Sequence, residues 1–308
     1  MPNIHRRHFL ARTATLAAGA TIMQNFAEAD PLGLPIGIQL YTIGADMQKD
    51  AAAAVRKIAE IGYKEVETAG LGSAPSASAL RRIFDENGLK CPSAHLTFDL
   101  NNLNAAFDQA HALGCSYVTS SVPRLIVANL PPGGATADVL KLLNTPMTND
   151  DLKKVIEAMN KIGASAHRQG LAFASHNHTF EFQILDGKPA LYTMIEKTDP
   201  ASVKFEIDCG WITVAGFDPV EIAAKYPGRI RMLHVKDFLP FEKGAAIGAA
   251  NAPKGSEIGH GVVDYRKIFA GMKGKGVEHI FVEQEGPFSR MPAMQSAEVD
   301  YKYLHALV

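Results

Sequence analysis

The stretch VKFEIDCGWITVAGFDPVEIAAKYPGRIRMLHVKD, residues 203–237, alternates between two kinds of pattern. VKFEID and RIRMLHVKD are short apolar segments that read as strands, and DPVEIAAKYPG between them has helical spacing and a glycine stop. Two strands separated by a helix of that length pair in parallel, because a hairpin turn cannot join them.

The same unit recurs on both sides of this stretch. Upstream, IGIQLY precedes DMQKDAAAAVRKIAEIG, YKEVE precedes SASALRRIFDENG, and CPSAHL precedes NLNAAFDQAHALG. CSYVTSS leads through a long connection to NDDLKKVIEAMNKIGASAHRQG, and LAFASHNH to a less regular segment around PALYTMIEKTD. Downstream, DYRKIFAGMKGKG precedes HIFVEQE, and AEVDYKYLHALV closes the chain. Eight strand–helix units predict an α/β fold, a single-domain (β/α)8 TIM barrel, in preference to an open doubly wound sheet. No G-x-G-x-x-G follows the first strand and no G-x-x-x-x-G-K-[ST] occurs, which argues against a nucleotide-binding sheet.

The chain has 308 residues, 47% of them hydrophobic, and a formal net charge of −1 with no long basic or acidic block. Such balance gives no footprint for nucleic acid and points to a small neutral or weakly charged partner. The first 29 residues differ from the rest: Arg6 and Arg7 precede Phe9 and Leu10, a weakly apolar stretch follows, and Ala27-Glu28-Ala29 has the spacing of a signal-peptidase site. We therefore expect a twin-arginine-type signal peptide over 1–29 and a mature barrel over 30–308, periplasmic or secreted. No later run approaches the ~20 apolar residues of a membrane span. Self-association into a homo-oligomer is compatible with this composition. Cys91, Cys115 and Cys209 have no metal-ligand spacing and read as buried thiols, with Cys91 and Cys115 able to bridge only if their strands are neighbours.

Polar residues gather at the carboxyl ends of the strands. Tyr41 follows the first, Glu67 the second, His95 the third, His176 and His178 the fifth, Asp208 the sixth, His234 the seventh and Glu283 the eighth. In a barrel these ends open on one face, where active sites lie. Glu181, Asp208, His234 and Glu283 form a hard O/N donor set suited to one divalent ion, Mn²⁺, Co²⁺, Mg²⁺ or Zn²⁺. Their carboxylates would be costly to hold together without such an ion.

The segments HNHTFEF (176–182), DCGWITVAGFDP (208–219), LHVKD (233–237), IGHGVVDYRKIF (258–269) and VEQE (282–285), in this order, resemble the sugar phosphate isomerase/epimerase family of the xylose-isomerase-like TIM barrel superfamily. That group includes ketose 3-epimerases, hydroxypyruvate isomerases and inosose dehydratases, and the resemblance covers about residues 34–308. It implies that Glu181, Asp208, His234 and Glu283 bind the metal and that Glu181 and Glu283 also exchange protons with the substrate through an enediolate. It further implies a keto-sugar or related polyol as substrate of an isomerase or epimerase. The same enolisation with a leaving group β to the carbonyl gives a lyase or dehydratase acting on a 3-keto-glycoside or inosose. Glu181 must reach in from the turn after the strand, and Trp211 stands where the epimerases carry a histidine.

Tyr41, Glu67, His95, His176, His178, Trp211, Lys236 and His260 are candidates for substrate contact. Lys236, two residues after His234, shares its inward direction, so Asp237 should point outward or pair with a neighbour. His260 lies in the Gly- and Ala-rich stretch 240–261, which reads as a loop over the site. Metal-dependent hydrolysis, suggested by the His176–His178 pair, and a non-catalytic sugar-binding barrel are the readings from other classes.

Overall fold

In the computed structural model, residues 31–128, 136–242, 245, 251–285 and 290–307 are described. The expected signal peptide, 1–29, lies outside them. Eight parallel strands close into a barrel: β1 Ile36–Gln39, β2 Glu65–Thr68, β3 Lys90–His95, β4 Tyr117–Ser120, β5 Ala172–His176, β6 Val203–Asp208, β7 Ile230–Val235 and β8 His279–Val282. β8 pairs with β1 through Ile36–Ile280, Gly37–Phe281 and Ile38–Val282, so the sheet has no edge. This is the expected single-domain (β/α)8 architecture.

The crossover helices are α1 Ala51–Ile61, α2 Ala77–Glu86, α3 Asn104–Leu113, α4 Asn149–Arg168, α5 Ala190–Lys197, α6 Pro219–Lys225, α7 Tyr265–Met272 and α8 Ala293–His305. Several begin where the sequence supplies a polar cap: the side chains of Asp50, Ser76, Asp218 and Asp264 accept first-turn amides, and Thr148 with Asp151 makes a reciprocal capping box on α4. The irregular segment after the fifth strand resolves into a short antiparallel pair, Ile184–Leu185 with Lys188–Pro189, followed by α5. Among the described residues no helix is long and apolar enough to cross a membrane.

Side-chain alternation divides the strands between two environments. Val203, Phe205 and Ile207 of β6 and Leu233 and Val235 of β7 pack into the main core, which also takes in the helices. Inside the barrel, Tyr117, Ala174, Met232 and Phe281 form a separate apolar cluster. Phe281 fits because its neighbour Gly37 has no side chain; a Cβ there would lie 2.6 Å from the Phe281 ring. On the carboxyl side of this apolar plug the interior turns polar, with Gln39, Glu67, Ser93, Thr119, His176, Glu206 and His234 all buried. A sheet filled by apolar side chains at one end and ionisable ones at the other confines chemistry to the face where the βα loops emerge.

Cys91 and Cys115 are neighbours, with sulfurs 3.7 Å apart, and both are buried free thiols like Cys209.

Candidate metal centre and active site

The strand-end residues converge. One donor atom from each of His176, Asp208, His234 and Glu283 lies within 4.8 Å of the other three, and all four residues are buried. Asp208 ends β6 and caps the short helix Cys209–Val214, its Oδ1 accepting the Trp211 amide at 2.7 Å. The cap fixes the carboxylate and leaves Oδ2 buried without a hydrogen bond. The helix lies directly on β7 because Gly210 has no side chain; a Cβ would stand 2.5 Å from the Lys236 carbonyl oxygen. His234 and Lys236 are two apart along β7 and project to the same side. The hydroxyl of Tyr265 pins the Lys236 backbone, donating to its carbonyl at 2.7 Å and accepting its amide at 2.6 Å.

Lys236 is buried among acids: Nζ lies 2.7 Å from Glu283 Oε2, 2.5 Å from Glu285 Oε1 and 3.2 Å from Asp208 Oδ2. Burial opposes the ammonium, but Asp208, Glu283 and Glu285 hold its titration well above the ordinary lysine value. Burial pushes Asp208 up to about 6, against the opposing field of Lys236. For Glu283 burial is outweighed by Lys236 and His234, which hold it well below the carboxylate range. Two imidazoles and two carboxylates, with one oxygen free of hydrogen bonds, fit a borderline divalent ion such as Zn²⁺, Mn²⁺ or Co²⁺ better than the all-oxygen shell preferred by Mg²⁺. Asp208 Oδ2 has the Lys236 ammonium at 3.2 Å but no hydrogen bond to set against its burial, and a cation among these donors lowers that cost further.

The structure does not bring Glu181 into this group. Glu181 lies on the turn Phe180–Phe182, buried, and its Oε2 accepts the His178 amide at 2.8 Å. Burial pushes its carboxyl up to about 8, only partly offset by that amide, so it carries a proton at neutral pH. It lines a cavity of about 540 Å³ with Arg124, Met147, Phe180 and Val214, and none of the four clustered donors reaches that cavity. The donor that the fifth strand contributes to the cluster is His176.

Glu67 is fully buried and His95 half-buried, and the two are engaged with other residues of the barrel interior. Glu67 has no exposed surface and receives hydrogen bonds from Gln39 and Ser93. His95 Nε2 is 2.8 Å from Glu206 Oε2. Burial alone would lower the His95 imidazolium, but Glu67 and Glu206 raise it to about 10. His178 is pushed down to about 4 by burial, and its ring stacks on Phe180 with centroids 5.1 Å apart.

Trp211 is buried against Phe238, Val214 and Ala245, its indole N–H reaching Glu285 at 3.3 Å and Lys236 Nζ lying 5.3 Å from its ring. It forms a wall beside the lysine. Tyr41 is exposed at the mouth, its hydroxyl titrating high through partial burial and the nearby charges of Glu285 and Glu283.

His260 is exposed, and among the described residues no contact ties it to the cluster. Its flanking glycines are tethered instead: Asp237 does not face solvent but accepts amides from Phe238, Gly259, Gly261 and Val263. Part of the expected covering loop, residues 243–244 and 246–250, lies outside the described residues.

Glu206 and Glu285 are members of the site that strand-end reasoning passes over. Both were legible from the period of two: Glu206 shares its side with Asp208, and Glu285 shares its side with Glu283.

The model of the Xylose isomerase-like TIM barrel family matches residues 55–304. An inosose dehydratase of Geobacillus thermodenitrificans (strain NG80-2) is 26% identical over 142 residues, 44% of this chain and 47% of that protein. One from Lacticaseibacillus casei is 25% identical over 276 residues, 82% of this chain and 88% of that protein. The chain thus spans about half the length of the first relative and most of the second. The crystal structure of a sugar phosphate isomerase/epimerase from Parabacteroides distasonis ATCC 8503 superposes with a TM-score of 0.67 at 23% identity, covering 88% of this chain and 94% of that one, a likeness of fold. With a family model spanning all but the first barrel strand and its approach, and a closed eight-stranded barrel to match, the chain belongs to the Xylose isomerase-like TIM barrel family.

Proposed function

We propose that this protein is a divalent-metal-dependent carbohydrate enzyme that enolises a keto-sugar or keto-polyol and expels the substituent β to the carbonyl. The observation that carries this reading is the contact between Lys236 Nζ and Glu283 Oε2, 2.7 Å, on the same side of the donor set as Glu285, while Glu181 is engaged with the His178 amide. The inosose dehydratases among the relatives support it, and 3-keto-glycosides present the same β-substituent.

His176, Asp208, His234 and Glu283 would hold the ion, which when bound would polarise the substrate carbonyl and stabilise the enediolate charge. Glu283 takes the proton from the carbon α to the carbonyl. The β carbon–oxygen bond then breaks, and the departing oxygen receives a proton from Lys236. Glu283 passes its proton to the lysine across the 2.7 Å contact, so the two groups end as they began. An alkoxide is a stronger base than either partner, so the transfer is downhill even for a lysine held firmly charged. Trp211 and Glu285 keep Nζ aimed at this position.

Isomerisation or epimerisation is the second reading, favoured by one observation. Glu181 follows β5, is buried and is protonated at neutral pH, as an acid delivering hydrogen from another side of a planar intermediate must be. Export by the twin-arginine route belongs to the same proposal, and it favours unphosphorylated substrates.

Proton NMR in D₂O with a 3-keto-glucoside or an inosose, in the presence of Mn²⁺ or Zn²⁺, separates the readings. Elimination releases the alcohol or water with formation of an enone. Deuterium incorporation with a new epimer and no loss of substituent would replace this reading by the second, and absence of both would remove enolisation altogether.

A further inference from the structure

Beneath the donor set lies a second ring of ionisable residues that the chemistry above does not use: Glu67, His95 and Glu206, meeting His234 and His176. The donor atoms of His95, His176, Glu206 and His234 also lie within 4.8 Å of one another. We propose that Glu67 and Glu206 are positioning residues that hold the His234 ring with Nε2 as hydrogen-bond donor, so that Nδ1, on the side of Asp208 and Glu283, is the nitrogen left to a bound ion, and that this ring is not a second cation site. The inference rests on the metal reading given above.

The two nitrogens of His234 face opposite partners. Nε2 lies 2.7 Å from Glu67 Oε2 and 3.2 Å from Glu206 Oε2, and Nδ1 lies 3.0 Å from Glu283 Oε2. Without an ion both nitrogens face carboxylates and both donate; a bound ion would displace the proton from Nδ1, while Nε2 keeps its donation to Glu67, which is the tautomer a metal ligand needs. The ring plane is fixed as well: His95 stacks on it at 5.4 Å and 6°, and Phe281 meets it edge-on.

Glu67 is built to accept and has no oxygen to spare. Gln39 Nε2 reaches Oε2 at 2.8 Å, and Ser93 Oγ reaches Oε1 at 2.5 Å while itself 2.8 Å from Thr119 Oγ1. These donors come from β1, β3 and β4, so strand register holds the carboxylate in place. His95 Nε2 and Glu206 Oε2 are joined by a hydrogen bond of 2.8 Å, and His95 Nε2 also lies 3.2 Å from Glu67 Oε2, so the imidazole already serves as partner of both carboxylates. Glu206 Oε1 is the one oxygen left without a hydrogen bond, and it makes a second cation the competing outcome.

The test is titration of chelator-stripped protein with Zn²⁺, and with Co²⁺ for its visible spectrum, in wild type and Glu67→Gln. We expect one equivalent in both, with affinity about 10- to 100-fold weaker in Glu67→Gln. Nitrogen NMR of the Zn²⁺ form should show His234 as a single tautomer, protonated at Nε2, in wild type and a loss of that preference in the variant, a signature that a merely structural change does not move. Ser93→Ala, which removes one donor to Glu67, should weaken Zn²⁺ several-fold and carries the test if Glu67→Gln fails to fold. Two equivalents in wild type falling to one in Glu206→Gln would overturn the proposal in favour of an interior cation. Unchanged affinity in both Glu67→Gln and Ser93→Ala would overturn it while leaving the metal reading intact. A wild type that binds no ion overturns both together.

Discussion

At the scale of single residues, Lys236 and Glu181 carry opposite expectations. Lys236→Met removes the proton donor but keeps much of the side chain's volume, so turnover should fall by about 10²- to 10⁴-fold, while Zn²⁺ binding to Asp208, His234 and Glu283 persists; equilibrium metal binding beside steady-state kinetics checks both. Glu181 makes a statement about stability. Its carboxyl titrates near 8 in the fold against 4.5 as the ordinary value, because burial favours the neutral form. Below 4.5 both the folded and unfolded states carry the proton. Between 4.5 and 8 only the folded state keeps it, so metal-free stability falls as pH rises through that window, by at most about 1.4 kcal/mol per unit from this group. Glu181→Gln should flatten that slope in thermal melts of the metal-free protein. A slope unchanged by the substitution would mean the carboxyl is ionised, as a ligand would be. The sequence placed Asp208 at a strand end and Glu181 in the turn after one, but not the direction in which either carboxylate is held. Asp208 is aimed by capping a helix, and Glu181 by folding back onto the His178 amide.

At the scale of elements, the alternation of apolar and polar residues along a strand was enough to locate most of the site. VKFEID and LHVK each place apolar side chains toward the helices and charged ones into the barrel, and the strand ends then fall on one face. Depth was not readable in the same way. Glu67 and Glu283 both stand at strand ends, yet Glu67 has no exposed surface and Glu283 borders the opening, because strands of a barrel are staggered and their ends reach different heights. The short helix after β6 was also hidden, since CGWITV is too short to show a period. Its close approach to β7 depends on Gly210, so Gly210→Ala should displace Asp208 and Lys236 together. We expect a loss of about 1–3 kcal/mol in stability from overpacking and a weakened ion, measurable by denaturant unfolding and Zn²⁺ titration of one sample. Gly37→Ala meets Phe281 in the apolar plug instead, and should cost stability of similar order without changing the metal affinity of the folded fraction.

At the scale of the whole molecule, the ion and the barrel are coupled. The donors come from β5, β6, β7 and β8, half the barrel, and none of them is near another in the unfolded chain. A cation that binds the closed barrel and not the open chain stabilises it by RT ln(1 + [L]/Kd), about 2.7 kcal/mol at a free concentration of 100 Kd. For a domain of this size that corresponds to a rise in Tm of roughly 5–10 °C. The rise should grow with Zn²⁺ or Mn²⁺ concentration and vanish on chelation. It should be absent in Asp208→Asn, whose amide still caps its helix through the side-chain oxygen but no longer offers the ion a carboxylate. In the metal-free form the same substitution removes the carboxylate oxygen 3.2 Å from the buried Lys236 ammonium, so the metal-free variant should melt no higher than metal-free wild type at neutral pH. Calorimetry of the two proteins with and without Zn²⁺ reads both effects, and a Tm of wild type that does not move with the ion would separate the fold from the metal chemistry assigned to it.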